Sequence, residues 1–131
     1  MSEENPLSKE VDRFILQEMP TVPHLEALLL VWNSRPKEWT VEEMAKALYV
    51  APAAAHSILQ RLAWRELLTA GSANPESYRY ESSSSKRDSL IEAVDAAYRR
   101  DLVRISKMIH SAATPALRDF ADAFRFKKDG E

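Results

Sequence analysis

Hydrophobic residues recur every three to four positions over most of the chain, and this spacing predicts a mainly helical protein. The first such segment covers residues 9–19 and follows Ser8, a candidate N-cap. The second runs from Thr21 to about Ser34 and ends before a proline, a residue that helix interiors exclude. Residues 8–34 are therefore predicted to form two N-terminal helices.

A capping box and a proline mark the starts of two further, shorter helices. Thr40 and Glu43 have the spacing at which each side chain bonds the other residue's backbone N–H, which predicts a helix over residues 40–48. A three-residue turn follows, and Pro52 then occupies the first position of a helix that reaches about Arg65. Two helices with so short a connection are typical of a helix-turn-helix.

Beyond the second short helix the hydrophobic period changes towards two, which indicates strands. Residues 67–71 and 77–81 are strand candidates joined by a polar turn segment, so they predict a hairpin. Trp39 and Thr40 form either a very short strand or an extended pair of residues. The segment 40–81 thus has the order helix, turn, helix, wing.

Residues 86–113 form the longest periodic segment, predicted to be a continuous helix whose apolar stripe is interrupted by Asp101. A shorter final helix is predicted to follow, up to about residue 126. The apolar stripe of this helix either packs on the winged core or pairs with its copy in a second chain. The helix would span about 40 Å at 1.5 Å per residue, more than the small core can cover, so the pattern favours the second alternative, a homodimer. The predicted interface combines the final helix with the apolar stripe of Ile91, Val94, Tyr98, Leu102, Ile105 and Ile109.

The predicted fold is mainly α with a small β-hairpin wing. We expect one winged-helix domain that contains the N-terminal helices (8–34), the helix-turn-helix and wing (40–81), and the C-terminal dimerisation helices (86–126).

Composition narrows the function classes. The 131 residues are 45% hydrophobic and 29% charged, as in globular proteins. Cysteine is absent, which excludes disulfides and cysteine zinc sites, and the N-terminus lacks the apolar core of a signal peptide, so a cytoplasmic location is expected. No nucleophile motif, phosphate loop or metal-ligand spacing is present, so neither an enzyme nor a cofactor is expected. Three tryptophans are expected to pack in the core or against the hairpin: Trp32, Trp39 and Trp64.

The segment 40–62 resembles the helix-turn-helix core of bacterial winged-helix regulators, with Ala45 where the helices approach and Val50 in the turn. Two leading helices, a winged core, a long helix and a short final helix resemble the MarR-type regulators. That resemblance implies a dimer built by the first and last helices, with one DNA half-site for each winged unit. It also leaves open a small-molecule pocket between the dimer helices and the core. Tyr49 and Glu66 occupy positions where glycine is usual because the backbone there takes a positive φ.

The resemblance places the helix that starts at Pro52 in the major groove of DNA, and the polar residues around it become candidate contacts. The candidates for base contact are His56, Ser57, Gln60 and Arg61. The candidates for phosphate contact are Lys46, Arg65 and Arg79.

Charge favours a second function. The net charge is −2, the first turn of the recognition helix is rich in alanine, and the wing tip ends in Glu76 without a lysine or arginine. These features are typical of a surface that does not attract phosphates. The alternative is a winged-helix protein-interaction module that has lost DNA binding.

Overall fold

A computed structural model describes residues 6–71 and 76–113 of the chain. Six helices and a three-stranded antiparallel sheet occupy these residues, so the chain is mainly α with a small sheet. In chain order the elements are α1 (Pro6–Glu18), α2 (Val22–Asn33), β1 (Trp39–Thr40), α3 (Val41–Leu48), α4 (Pro52–Trp64), β2 (Thr69–Ala70), β3 (Ser77–Arg79), α5 (Ser85–Arg100) and α6 (residues 102–113). None of the helices in these residues is long and apolar enough to cross a membrane.

Side-chain caps start several helices. The Thr40 hydroxyl accepts from the Glu43 amide at 3.2 Å, and the Glu43 carboxylate accepts from the Thr40 amide at 3.0 Å, so the predicted capping box is confirmed. Thr21 caps α2 in the same position, and Ser84 accepts from the Arg87 amide at the start of α5. The predicted cap of α1 is wrong, because the helix already begins at Pro6 and Ser8 lies inside its first turn.

Two helices end in the left-handed backbone conformation without a glycine. Tyr49 has φ 59° and Glu66 has φ 64°, so both residues adopt the positive φ for which glycine is usual. In each case the next amide bonds back to a carbonyl five residues earlier, from Val50 to Ala45 at 3.0 Å and from Leu67 to Leu62 at 2.8 Å. This bond pattern is that of a Schellman motif.

The sheet has the order β1-β3-β2, with Trp39 opposite Tyr78 and Ala70 opposite Tyr78 on the other side. The hairpin is confirmed, although its strands are shorter than predicted. Gly71 lies next to Ser77, and a Cβ at this position would lie only 2.8 Å from the Ser77 hydroxyl oxygen. Strand β1 pairs with β3 and leads directly into α3, so it joins the wing to the start of that helix.

The core lies around α2 and is closed by the inner faces of the other helices. Leu25 and Leu28 of α2, Met44 of α3, and Leu59 and Leu62 of α4 are fully buried. These are the apolar positions that the helical spacing predicts to face inward.

The prediction of one continuous helix over residues 86–113 is wrong, because the helix breaks at Asp101, where φ is −124° and ψ 47°. A straight helix would place this carboxylate in the apolar stripe, and burial of an unpaired charge is costly. At the break the carboxylate instead lies 3.1 Å from Arg100 Nε and 3.9 Å from an Arg104 nitrogen.

The break also changes the surface available to a second chain. Ile91, Val94, Ile105 and Ile109 are at most 2% exposed, because they pack into the core of their own chain. Tyr98 is partly buried and its hydroxyl donates to Glu26 at 3.0 Å. A second chain therefore cannot contact the four buried side chains of the predicted interface, Ile91, Val94, Ile105 and Ile109. Of the six predicted side chains only Leu102 is well exposed, at 50%, and the predicted final helix lies outside the described residues.

Candidate nucleic-acid interface

Helix α4 and the wing form an open groove of about 790 Å³. Five residues of α4 line it, Ala63 among them, and the other four have the helical spacing i, i+3, i+4 and i+7, which places those four on one face of the helix. The opposite face of α4 is buried in the core. The four residues, called the α4 stripe below, are Ser57, Gln60, Arg61 and Trp64. The wing side of the groove is lined by Ala70, Gly71, Glu76 and Tyr78.

Three of the predicted base contacts, Ser57, Gln60 and Arg61, belong to the α4 stripe. All three are exposed, and within residues 6–71 and 76–113 neither Gln60 nor Arg61 makes a side-chain hydrogen bond or ion pair. Glutamine pairs with adenine edges and arginine with guanine edges, so both side chains are available for the chemistry of base recognition.

His56, the fourth predicted base contact, joins α4 to the wing. Its Nε2 lies 3.9 Å from the Glu76 carboxylate, which immediately precedes β3, and both side chains are partly exposed. The two groups form an ion pair only when the imidazole is protonated. His56 therefore lies beside the wing residue Glu76 but is not among the residues that line the groove.

Arg65 is bound to the end of α1. Its Nε and one terminal nitrogen donate to the two oxygens of Glu18, at 2.7 and 2.9 Å. This bidentate pair, together with the nearby charge of Arg61, holds the pKa of Glu18 below its ordinary value. Arg65 thus has an acidic partner within its own chain, and its predicted phosphate contact stays a prediction.

Arg79 is also paired. Its guanidinium donates to Glu81 at 3.2 Å, two residues along the chain. Lys46, the third predicted phosphate contact, is exposed on α3, and it has neither hydrogen bond nor ion pair within the part of the chain that the structure describes. Lys46 lies outside the residues that line the groove. Among the described residues, Arg61 and Lys46 are therefore the predicted basic contacts that make no ion pair, although the charge of Arg61 acts on nearby Glu18.

Trp64 corrects a further expectation, because its side chain is 75% exposed and does not pack in the core or against the hairpin. Trp32 and Trp39 do pack, the first edge-on against Tyr80 and the second with its indole N–H on Ser34. Trp64 lies four residues after Gln60 and so continues the exposed stripe. That spacing is the signal by which the sequence could have placed Trp64 on the groove.

Methyl groups occupy the start of α4. Ala51, Pro52, Ala53 and Ala54 are all exposed and offer no hydrogen-bond donor side chain. Among the described residues no group of three or more acidic or histidine side chains is placed to hold a metal ion. The polar chemistry of the surface is thus concentrated in the middle and the last turn of α4.

No protein-family model and no curated protein matches the chain. Solved structures do resemble it. A MarR family protein from Bacillus stearothermophilus is 18% identical with a TM-score of 0.51, over 95% of this chain and 84% of that one. The chain has a MarR-like winged-helix fold. Two further structures agree with this MarR-like fold.

The first of the two is a MarR family transcriptional regulator from Streptomyces coelicolor, 21% identical with a TM-score of 0.53 over 95% and 84% of the two chains. The second, RV1404 from Mycobacterium tuberculosis, is 20% identical with a TM-score of 0.52 over 90% and 82%. In this chain α3, the turn at Tyr49 and α4 form the helix-turn-helix, and the β2–β3 hairpin forms the wing.

Proposed function

We propose that this chain is a DNA-binding transcriptional regulator that acts as a homodimer, with α4 in the major groove. The observation that carries the proposal is the α4 stripe, in which Gln60 and Arg61 face an open groove and make no side-chain hydrogen bond or ion pair with the described residues. The Streptomyces coelicolor protein of the same fold is a transcriptional regulator, which supports this function.

Binding to DNA is tested by fluorescence anisotropy with labelled duplexes at low salt. We expect non-specific binding that weakens as salt rises, because phosphate contacts release counterions. Once a specific site is selected from a random pool, Arg61→Ala and Gln60→Ala should each cost about 1–3 kcal/mol on that site. Arg13→Ala, which removes an exposed arginine of α1, is the matched control and should bind as the wild type does. Absence of any binding at low salt would refute the proposal.

The homodimer needs a surface other than the buried stripe. Four exposed apolar side chains lie on the two helices that meet at the ion pair between Asp12 and Arg104. We propose that this surface forms the dimer contact, since apolar side chains on adjacent helices are typical of subunit interfaces. The four residues are Leu7 and Leu16 on α1, and Leu102 and Val103 on α6. Leu7 and Leu16 are nine positions apart and lie on opposite faces of α1, so the proposed contact centres on Leu102 and Val103.

The dimer is tested by sedimentation equilibrium at micromolar concentration. Leu102→Asp combined with Val103→Asp should give a monomer and weaken binding to a paired site, because each monomer contacts one half-site. Tyr49→Asp introduces the same charge at an exposed aromatic residue outside the surface and should leave the dimer intact. A wild-type protein of monomer mass would contradict the proposal.

The second candidate is a protein-interaction module without DNA binding. The pairing of Arg65 and Arg79 with acidic neighbours and the methyl-lined start of α4 favour it. The electrostatic potential at the surface of the dimer separates the two candidates. A continuous positive band across both α4 helices would support DNA binding, and a neutral or negative face would support the protein-interaction module.

A further inference from the structure

Trp64 is the exposed aromatic side chain of the α4 stripe, and neither the fold nor the predicted base contacts explain it. A tryptophan that is 75% exposed leaves a large apolar surface in water. It follows Arg61 by three residues and therefore lies one turn further along the same face. Large exposed aromatic residues of this kind are enriched at binding surfaces.

The groove between α4 and the wing lies where a winged helix bound to DNA would have to accommodate a backbone. In DNA each sugar–phosphate backbone separates a major groove from a minor groove, so a protein with a helix in the major groove and a neighbouring wing must accommodate one backbone between them. In this chain the space between helix and wing is the groove lined by the α4 stripe. Its wing wall includes Ala70 and Gly71, whose small size allows close approach, and also Glu76, whose carboxylate lies near His56 and opposes a phosphate.

The last turn of α4 needs a group that can contact this backbone. Arg65 is neutralised by Glu18, so it offers no free cation there. Trp64 offers an indole N–H, which only donates, and phosphate oxygens only accept. Its ring in addition presents an apolar face of the kind that packs against deoxyribose, while Arg61 supplies a positive charge one turn earlier.

We propose that Trp64 binds the sugar–phosphate backbone of duplex DNA in the groove between α4 and the wing. The indole N–H bonds a phosphate oxygen and the ring packs on the adjacent sugar. This inference rests on the proposed DNA-binding function and adds a sequence-independent contact to the base contacts of Gln60 and Arg61.

The experiment measures anisotropy with a random duplex over a range of salt concentrations. Trp64→Ala should weaken binding roughly tenfold, the loss expected for one hydrogen bond to a charged acceptor. The same loss should occur on a selected specific site, because the contact is to the backbone. The slope of log K against log salt should stay unchanged, since a neutral donor releases no counterion, whereas loss of an arginine–phosphate contact lowers the slope by about 0.9.

Acrylamide quenching of tryptophan fluorescence gives a second readout. The difference between wild type and Trp64→Phe isolates Trp64, since Trp32 is buried and Trp39 is partly buried. Saturation with duplex should protect Trp64 from the quencher. Trp64→Ala should keep the wild-type urea midpoint, because the side chain is exposed, and this control separates a lost contact from a lost fold.

The outcomes separate the two proposals. If duplex DNA binds while Trp64 stays quenchable and Trp64→Ala binds with wild-type affinity, this inference is wrong and the proposed function stands. If no duplex binds, both are wrong. If Trp64 becomes protected with rising protein concentration in the absence of DNA, its contact is with a second copy of the chain, which also overturns the inference.

Discussion

The turn of the helix-turn-helix holds Tyr49 in the left-handed conformation, with φ 59° and ψ 46°, while its side chain is 94% exposed. We predict that Tyr49→Gly stabilises the protein. The left-handed region costs an L-residue about 1–2 kcal/mol because its Cβ approaches the following carbonyl, and glycine avoids this cost. The exposed ring contributes little burial that the substitution would lose.

The magnitude follows from two opposing effects. Relief of the backbone cost contributes about 1–2 kcal/mol, and the greater freedom of glycine in the unfolded chain removes roughly 0.5–1 kcal/mol. The net gain in the free energy of unfolding is therefore about 0.5–1 kcal/mol. With a urea m-value of about 2 kcal/mol per molar, the midpoint should rise by about 0.3–0.5 M.

The assay is urea unfolding followed by circular dichroism, with wild type and variants measured side by side. Tyr49→Ala removes the ring but keeps the Cβ, so its midpoint should match that of the wild type. Glu66→Gly is an independent second site with φ 64° and should also gain stability. A lower midpoint for Tyr49→Gly, or an equal gain for Tyr49→Ala, would refute the backbone explanation.

Three further predictions concern single side chains. Glu18→Gln should free Arg65, and DNA binding in anisotropy titrations should become tighter and more dependent on salt. Glu10→Gln on the same helix is the control and should have neither effect. Equal effects of the two variants would point to net charge alone. Thr40→Ala should lower the free energy of unfolding in urea by about 1 kcal/mol, and an unchanged midpoint would mean that the cap adds nothing. Hydrogen bonds from the Ser82 and Tyr80 hydroxyls lower the pKa of Asp88 from its ordinary 3.8. The ionised carboxylate therefore stabilises the fold above that pH, and this contribution is lost as the pH falls through the lowered pKa. Asp88→Asn should flatten the dependence of the free energy of unfolding on pH below about pH 4, and an unchanged dependence would contradict this.

Local signals in the sequence predict much of the winged core. The capping box at Thr40 and the proline at Pro52 fix the starts of α3 and α4, because each acts within one helical turn. The positive φ of Tyr49 is likewise a property of the short turn. The exposed positions Gln60 and Arg61 follow from helical spacing alone.

Contacts between distant parts of the chain could not be predicted from the sequence. Arg65 pairs with Glu18 across 47 residues, so its apparent availability on α4 was misleading. The break at Asp101 depends on the competition between helix continuity and burial of a carboxylate, which requires knowledge of the packing. Burial of Ile105 and Ile109 in their own chain follows from that break and moves the proposed dimer contact to other side chains.

Thr40 belongs to two elements at once, as the last residue of β1, opposite Ser77, and as the N-cap of α3. The edge strand β1, which pairs with the wing strand β3, and the first helix of the helix-turn-helix are therefore joined without any intervening linker. Opening of the sheet at this point should release the start of α3 as well, so the two would form one cooperative unit in native-state hydrogen exchange. A wing attached in this manner behaves as an extension of the rigid core, and its orientation relative to α4 is preorganised before any ligand arrives.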